Sequence, residues 1–379
     1  MGSERQNSFI VFEEIMKILN IIFTTDFIMH DFSNHPTYHA WLFNLLKKQI
    51  HYVYSQCTLR ELKHCTVNGE TFSRDTFLSL SGIKDASLSY FIYKTEDISP
   101  QSIEYLKQFL PENTLIFGFE LTFSFRKILT NLDINYINYA IHPFKLAPDV
   151  MFLCSTNNSN IHNVLLKNQT KQPFFVENIE KFIRKSHKEI EQINSKITKP
   201  TLLLIGQIPQ DQSTADLSSN KYLSLLDYQN KILQLCKEYP QTYYKPHPHA
   251  REIPQDLLNF LAQHNIEVVR HNTYHMLASQ NIKHVVALSS SVVHEATFFG
   301  KCSSYLYQPL FDIDTKKYSI NSFISHFKEH LSALYWVEIL KAIGFSQKKS
   351  VLQRVLLCFN QYKITNVLIR EKFNINWKQ

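Results

Sequence analysis

Beyond residue 200 the chain alternates short apolar runs with amphipathic stretches, and each apolar run ends in a polar loop. Leu202–Ile205, Thr242–Tyr244, Ile266–Val269 and His284–Leu288 read as buried strands. Asn220–Glu238, Gln255–His264 and Ser291–Phe299 read as helices. Strands separated by helices pair in parallel, because each crossover brings the chain back to the same end of the sheet. The pattern predicts a doubly wound α/β layer with its ligand site at the carboxyl ends of the strands. A looser version of the alternation comes first. Strands are expected over Ile18–Thr25, Ser89–Tyr93, Thr114–Phe117 and Ile134–Ile141, with a helix over His39–Lys48. Glu177–Lys199 is polar, charged and helix-favouring, which suits a connection. The expected division is therefore an α/β domain over 1–180, a connection over 181–200, a second α/β domain over 201–318 and a helical segment over 319–379.

Composition removes several classes. Seven glycines in 379 residues leave no G-x-G-x-x-G and no P-loop. Six cysteines include no C-x-x-C, so neither a zinc site nor a disulfide scaffold is expected. A reduced, cytosolic chain is the simplest expectation. No signal peptide is visible and no apolar run approaches the ~20 residues of a membrane span. The net charge of +7 permits an anionic partner. With no recognised module and no basic stripe, nucleic acid is not expected to be that partner.

The residues that follow the strands carry the chemistry. Lys245-Pro246-His247-Pro248-His249 follows Thr242–Tyr244. Its prolines stiffen the loop, and Lys245 and His247 both donate to a phosphate. The same string also reads as a turn with surface histidines, or as a pair of metal ligands. Ser289-Ser290-Ser291 follows His284–Leu288 and opens the helix containing Glu295. A serine there ordinarily caps the helix, but hydroxyls beside exposed N–H groups also seat a phosphate. Glu295 can accept the hydroxyls of a ribose or simply complement the helix dipole. Gly206-Gln207, with Asp211-Gln212-Ser213, follows Leu202–Ile205, and a lone Asp there is also an ordinary turn residue. In the first half, Gly118-Phe119-Glu120 follows Thr114–Phe117, and Ile141-His142-Pro143-Phe144-Lys145 follows Ile134–Ile141. One carboxylate from each half, Asp211 and Glu120, suits glycosyl transfer. One would stabilise or attack the anomeric carbon while the other handles the acceptor proton. His142 and Lys145 would shape the acceptor side. Asp312-Ile313-Asp314 is a counter-signal, since a D-x-D can hold a metal for a nucleotide diphosphate sugar.

Two Rossmann-like domains facing a central cleft, with a helical tail, resemble the GT-B architecture of sugar-nucleotide glycosyltransferases. The motif set is similar to that of the bacterial retaining β-Kdo transferases that build capsule linkers and Kdo-containing surface glycans. In that family the second domain opens with a strand and Gly-Gln-x-x-x-Asp-x-Ser, then a Lys-x-His-Pro loop, then a Ser pair before a helix with Glu-Ala. Here these read Gly206-Gln207 with Asp211-Gln212-Ser213, Lys245-Pro246-His247-Pro248, and Ser289-Ser290 with Glu295-Ala296. The His-Pro and Ser-Ser motifs are shared with bacterial sialyltransferases, so they mark a CMP-sugar donor. The resemblance runs over about residues 200–310. It departs at Tyr307-Gln308-Pro309-Leu310-Phe311, where many relatives carry Trp-Gly, and at Glu120, which lacks the family's acidic pair before glycine.

The resemblance implies retaining transfer of Kdo from CMP-β-Kdo to a growing bacterial surface glycan: capsule, O-antigen or lipooligosaccharide. Asp211 would be the nucleophile of a double displacement and Glu120 its partner as base or orienting group. Gln207, Ser213, Lys245, His247, Pro248, Ser289, Ser290, Ser291 and Glu295 would hold the donor, with no metal and no cofactor. Residues 1–180 would serve the acceptor and 201–318 the CMP-sugar. The basic tail (Lys341, Lys348, Lys349, Arg354, Lys363, Arg370, Lys372) suits a lipid-linked acceptor and a place in the cytoplasm or at the inner membrane surface. A CMP-sialic or other nonulosonic acid transferase is the alternative enzyme. A non-catalytic nucleotide- or glycan-binding protein is the alternative of another class.

Overall fold

In a computed structural model, the described residues are 18–28, 36–82, 98–209, 211–216, 218–219, 221–250, 252–309, 313 and 319–345. The first part runs β1 (Asn20–Thr25), α1 (Pro36–Val53), β2 (Thr58–Glu61), β3 (Thr66–Val67), β4 (Glu70–Thr71), α2 (Arg74–Leu80), α3 (Pro100–Gln108), β5 (Thr114–Phe119), α4 (Phe123–Asn131), β6 (Asn135–Ile141), β7 (Phe152–Thr156) and α5 (Ser159–Lys167). Two helices follow, α6 (Gln172–Lys185) and α7 (His187–Lys196). The second part runs β8 (Thr201–Ile205), β9 (Ala215–Asp216), β10 (Lys221–Tyr222), α8 (Gln229–Cys236), β11 (Gln241–Lys245), α9 (Gln255–Gln263), β12 (Glu267–Val268), α10 (Thr273–Ala278), β13 (Ile282–Ala287), α11 (Val292–Phe298) and β14 (Cys302–Tyr305). The described chain closes with β15 (Ile324–His326) and α12 (Ala333–Ala342).

The fold is mixed α/β, built on two main sheets. The second sheet, in the order β12-β11-β8-β13-β14, is parallel throughout. Its alternation of side chains explains the continuous apolar runs. Leu203 and Ile205 of β8 face one core, while Leu202 and Leu204 face the other. A strand buried on both faces has no polar side to show. The first sheet, in the order β15-β7-β6-β5-β1-β2, is parallel over β2, β1, β5 and β6. β7 and β15 extend its edge in antiparallel pairs. Phe23 and Phe117 stack on one face with ring centroids 5.0 Å apart. Ile22 and Ile116 fill the other face.

Two expectations change. The segment from Ser319 is not uniformly helical: β15 adds a strand to the first sheet, and α12 packs its apolar face on α1 and α5. The expected helix over Asn220–Glu238 begins only at Gln229, because Ser224 and Asp227 form a capping box on an intervening 3₁₀ turn. The polar connection is two helices, and Phe175 of α6 packs against Phe298 of α11. The expected strand at Ser89–Tyr93, Asp312, Asp314 and the basic residues beyond 345 lie outside the described residues.

The returning segment buries two histidines. His326 shares a hydrogen bond of 2.9 Å with the Leu165 carbonyl. His330 lies edge-on to Phe152 at 4.8 Å, with no hydrogen-bond partner on either ring nitrogen. Burial pushes His330 down to about 3. A folded value below the unfolded one means stability that is present above pH 6.5 and lost as pH falls toward 3. Between pH 7 and pH 5, His330 alone should remove about 2 kcal/mol. Urea midpoints at the two pH values test this, and His330→Leu should flatten the dependence.

Candidate functional site

The site grows from the two points where the winding of each sheet reverses. In the second sheet that point lies between β8 and β13, the place where an open α/β sheet leaves a crevice. Gly206 leaves β8 with its N–H bonded to the Lys245 carbonyl at 2.8 Å. A Cβ there would meet the Tyr244 hydroxyl at 2.3 Å, so a larger residue would have to displace that ring. Gln207 then bridges the crevice. Its Nε2 donates to Ser213 Oγ and Ser289 Oγ, each at 2.9 Å, and its Oε1 accepts the Ser289 N–H at 2.9 Å. Asp211 Oδ1 accepts from the Ser213 N–H at 2.8 Å and from its hydroxyl at 2.6 Å, which fixes the carboxylate in an Asx turn. Gln207, Ser213 and Ser289 are thus braces that hold the Asp211 loop against the start of α11.

Beside this brace lies a small, partly open pocket with a cavity of about 100 Å³. Lys245, His247, Ser290, Ser291 and Glu295 line it, together with Lys145 from the other half of the chain. Ser291 heads α11 without a side-chain capping bond. Lys245 is the last residue of β11 and is buried, and its neighbour in charge is Arg270. Burial first, and that arginine second, lower its ammonium. A buried cation next to a second cation is arranged for an anion that arrives with the ligand.

His247 is prepared as a donor. Its Nδ1 accepts the His249 N–H at 3.1 Å, so the neutral ring carries its hydrogen on Nε2. Burial lowers it further, followed by the neighbouring His249, while Asp211 pulls the other way. Asp211 therefore lies close enough to act on this ring. Glu295 is buried, accepts a hydrogen bond from the Tyr274 hydroxyl, and is pushed up to about 8 by burial. At pH 7 it is a neutral carboxylic acid, able to donate as well as accept.

In the first sheet the reversal lies between β1 and β5. Asp26, at the end of β1, is buried; its Oδ1 accepts the Ile28 N–H at 2.9 Å and its Oδ2 the Thr122 N–H at 2.5 Å. Thr122 in turn caps α4 through Phe125 N–H. This clamp fixes the turn bearing Glu120, which is held in the left-handed region at φ 52° with its N–H on the Tyr139 carbonyl at 2.7 Å. Glu120 keeps exposed surface, yet desolvation by the surrounding protein pushes its carboxyl up to about 7. Glu120 is not among the residues that line the pocket of Lys245 and His247.

His142 corrects the expectation made for it. It is fully buried, donating from Nε2 to Ser325 Oγ at 2.9 Å and accepting the Phe144 N–H on Nδ1 at 2.9 Å. It supports its loop from beneath and presents nothing to an acceptor. Lys145 lines the same pocket as Lys245 and His247 rather than a surface of its own half. Ser289 is buried on Gln207, so the pocket serines are Ser290 and Ser291. Pro248 lines the pocket too. The loop edges of the two halves meet through Phe144, Phe175 and Phe298, with the latter two stacked at 4.4 Å. Sequence reasoning missed Asp26, Arg270 and Tyr274; the last two stand just after β12, where the rule of looking past each strand would have found them.

No protein-family model matches the chain, and no curated protein matches it. Among solved structures it is similar to Thermosulfurimonas dismutans KpsC, a beta Kdo 2,7 transferase. The two are 12% identical, the match covers 91% of this chain and 100% of that one, and the TM-score is 0.36. At that identity and TM-score the likeness bears no weight for chemistry. Among the described residues no three His, Cys, Asp or Glu side chains are grouped for a metal ion, and no helix is long and apolar enough to cross a membrane.

Proposed function

We propose that the protein is a retaining glycosyltransferase that moves Kdo from CMP-β-Kdo to a bacterial surface glycan. The observation that carries the reading is the convergence of Lys245, His247, Ser290, Ser291 and Glu295 on one pocket at the carboxyl edge of a parallel sheet. Lys245, the Nε2–H of His247 and the serine hydroxyls hold the phosphate, and Glu295 holds the ribose. As the bond from the anomeric carbon to the phosphate oxygen breaks, negative charge builds on CMP, and these donors stabilise it where it forms. Asp211 forms the new bond to that carbon. The acceptor hydroxyl then displaces Asp211, and Glu120 takes its proton, so that two inversions give retention. A lipid-linked acceptor at the inner membrane surface fits the basic tail, and the chemistry needs no metal or cofactor.

Calorimetric titration with CMP is the first test. Binding is expected, and Lys245→Ala should weaken it about 10–100-fold, the worth of a charge-assisted hydrogen bond. Hydrolysis of CMP-Kdo against CMP-sialate then separates donors. Turnover of the sialate alone moves the reading to sialic or nonulosonic acid transfer. CMP binding with neither donor turned over leaves a nucleotide-binding protein without catalysis.

A further inference from the structure

The pocket receives cations from two sides. Lys245 ends β11 and belongs to the second sheet, whereas Lys145 comes from the loop after β6 of the first. The Lys145 N–H bonds the Tyr274 hydroxyl, and that hydroxyl bonds Glu295, so the loop is pinned across the gap. Lys145 lines the same pocket as His247 and Glu295, and its charge acts on both.

One phosphate does not need both ammonium groups. The second-half residues Lys245, His247, Ser290 and Ser291 already form a complete seat. We propose that Lys145 binds a second anion of the donor, the carboxylate carried on the anomeric carbon of a CMP-linked 2-keto sugar acid. In such a donor the carboxylate is bonded to the same carbon as the phosphate oxygen. It therefore lies a few bonds from the phosphate, within reach of a second cation in the same pocket. A neutral sugar has no group for this position, so Lys145 selects for sugar acids and turns the reacting carbon toward Asp211. This inference rests on the CMP-sugar reading above.

The test compares wild type, Lys145→Ala, Lys145→Arg and Lys245→Ala, with CMP titrated calorimetrically and CMP-Kdo turnover followed against concentration. Lys145→Ala should keep CMP affinity within about threefold, which also shows that the pocket is folded, while KM for CMP-Kdo rises about 10–100-fold. Lys145→Arg should recover most of that rise. Lys245→Ala should weaken CMP and CMP-Kdo together. If Lys145→Ala weakens CMP as much as Lys245→Ala does, Lys145 is a phosphate ligand and the inference is overturned. An unchanged KM overturns it as well. Failure of wild type to bind CMP sinks the nucleotide reading itself, a result distinct from either.

Discussion

Asp211→Asn is expected to leave CMP binding within about twofold of wild type and to lower glycosyl transfer on the order of 10⁴-fold. The two effects separate because Asp211 has two jobs. Its Oδ1 accepts the Ser213 N–H and hydroxyl, and that turn holds the loop. An asparagine carbonyl accepts the same bonds, so the turn and its Gln207 brace survive. What asparagine lacks is a charged oxygen to attack carbon. Among the described residues both of these bonds fall on Oδ1, which leaves Oδ2 for the attack. Asp211→Ala removes the turn as well and should weaken CMP, since the brace from Gln207 to Ser289 loses its anchor. Trapping of a sugar adduct on the peptide containing Asp211, seen by intact mass, is the positive form of the result. Transfer by Asp211→Asn within tenfold of wild type would leave Asp211 as a turn residue only.

What the sequence disclosed follows from the range of each interaction. The strands Leu202–Ile205 and Thr114–Phe119 are continuous apolar runs because both faces are buried, and the loops after them hold the site by a rule of topology. β15 is three residues long and β2 is half-buried along its length, so neither shows a period. His142 looks like a loop donor until Ser325, 183 residues later, takes its Nε2–H. Asp26 and Thr122 are 96 residues apart, and nothing local marks either as part of a clamp. A run of three serines gives no phase: Ser289 is taken up by Gln207, and Ser290 and Ser291 line the pocket. Lys145 follows a strand of the first sheet, and only the pairing of the two halves brings it to the pocket of Lys245 and His247.

Glu120 should govern the acid limb of the reaction. A general base must be ionised, and desolvation has pushed this carboxyl up to about 7. Transfer should therefore rise as pH increases through 7 and level off above it, where an ordinary glutamate would have levelled off near pH 5. Glu120→Gln keeps the shape and removes the base, so transfer should fall about 10²–10⁴-fold and its pH limb should vanish. Stability supplies an independent reading. A non-glycine residue at φ 52° carries backbone strain, on the order of 1–2 kcal/mol. Glu120→Gly releases it, so this variant should melt higher while transferring as poorly as Glu120→Gln. Strain kept where glycine would remove it is accounted for if the carboxylate is needed at that place. If Glu120→Gln retains the wild-type rate and pH profile, the acceptor proton leaves by another route and Glu120 only terminates β5.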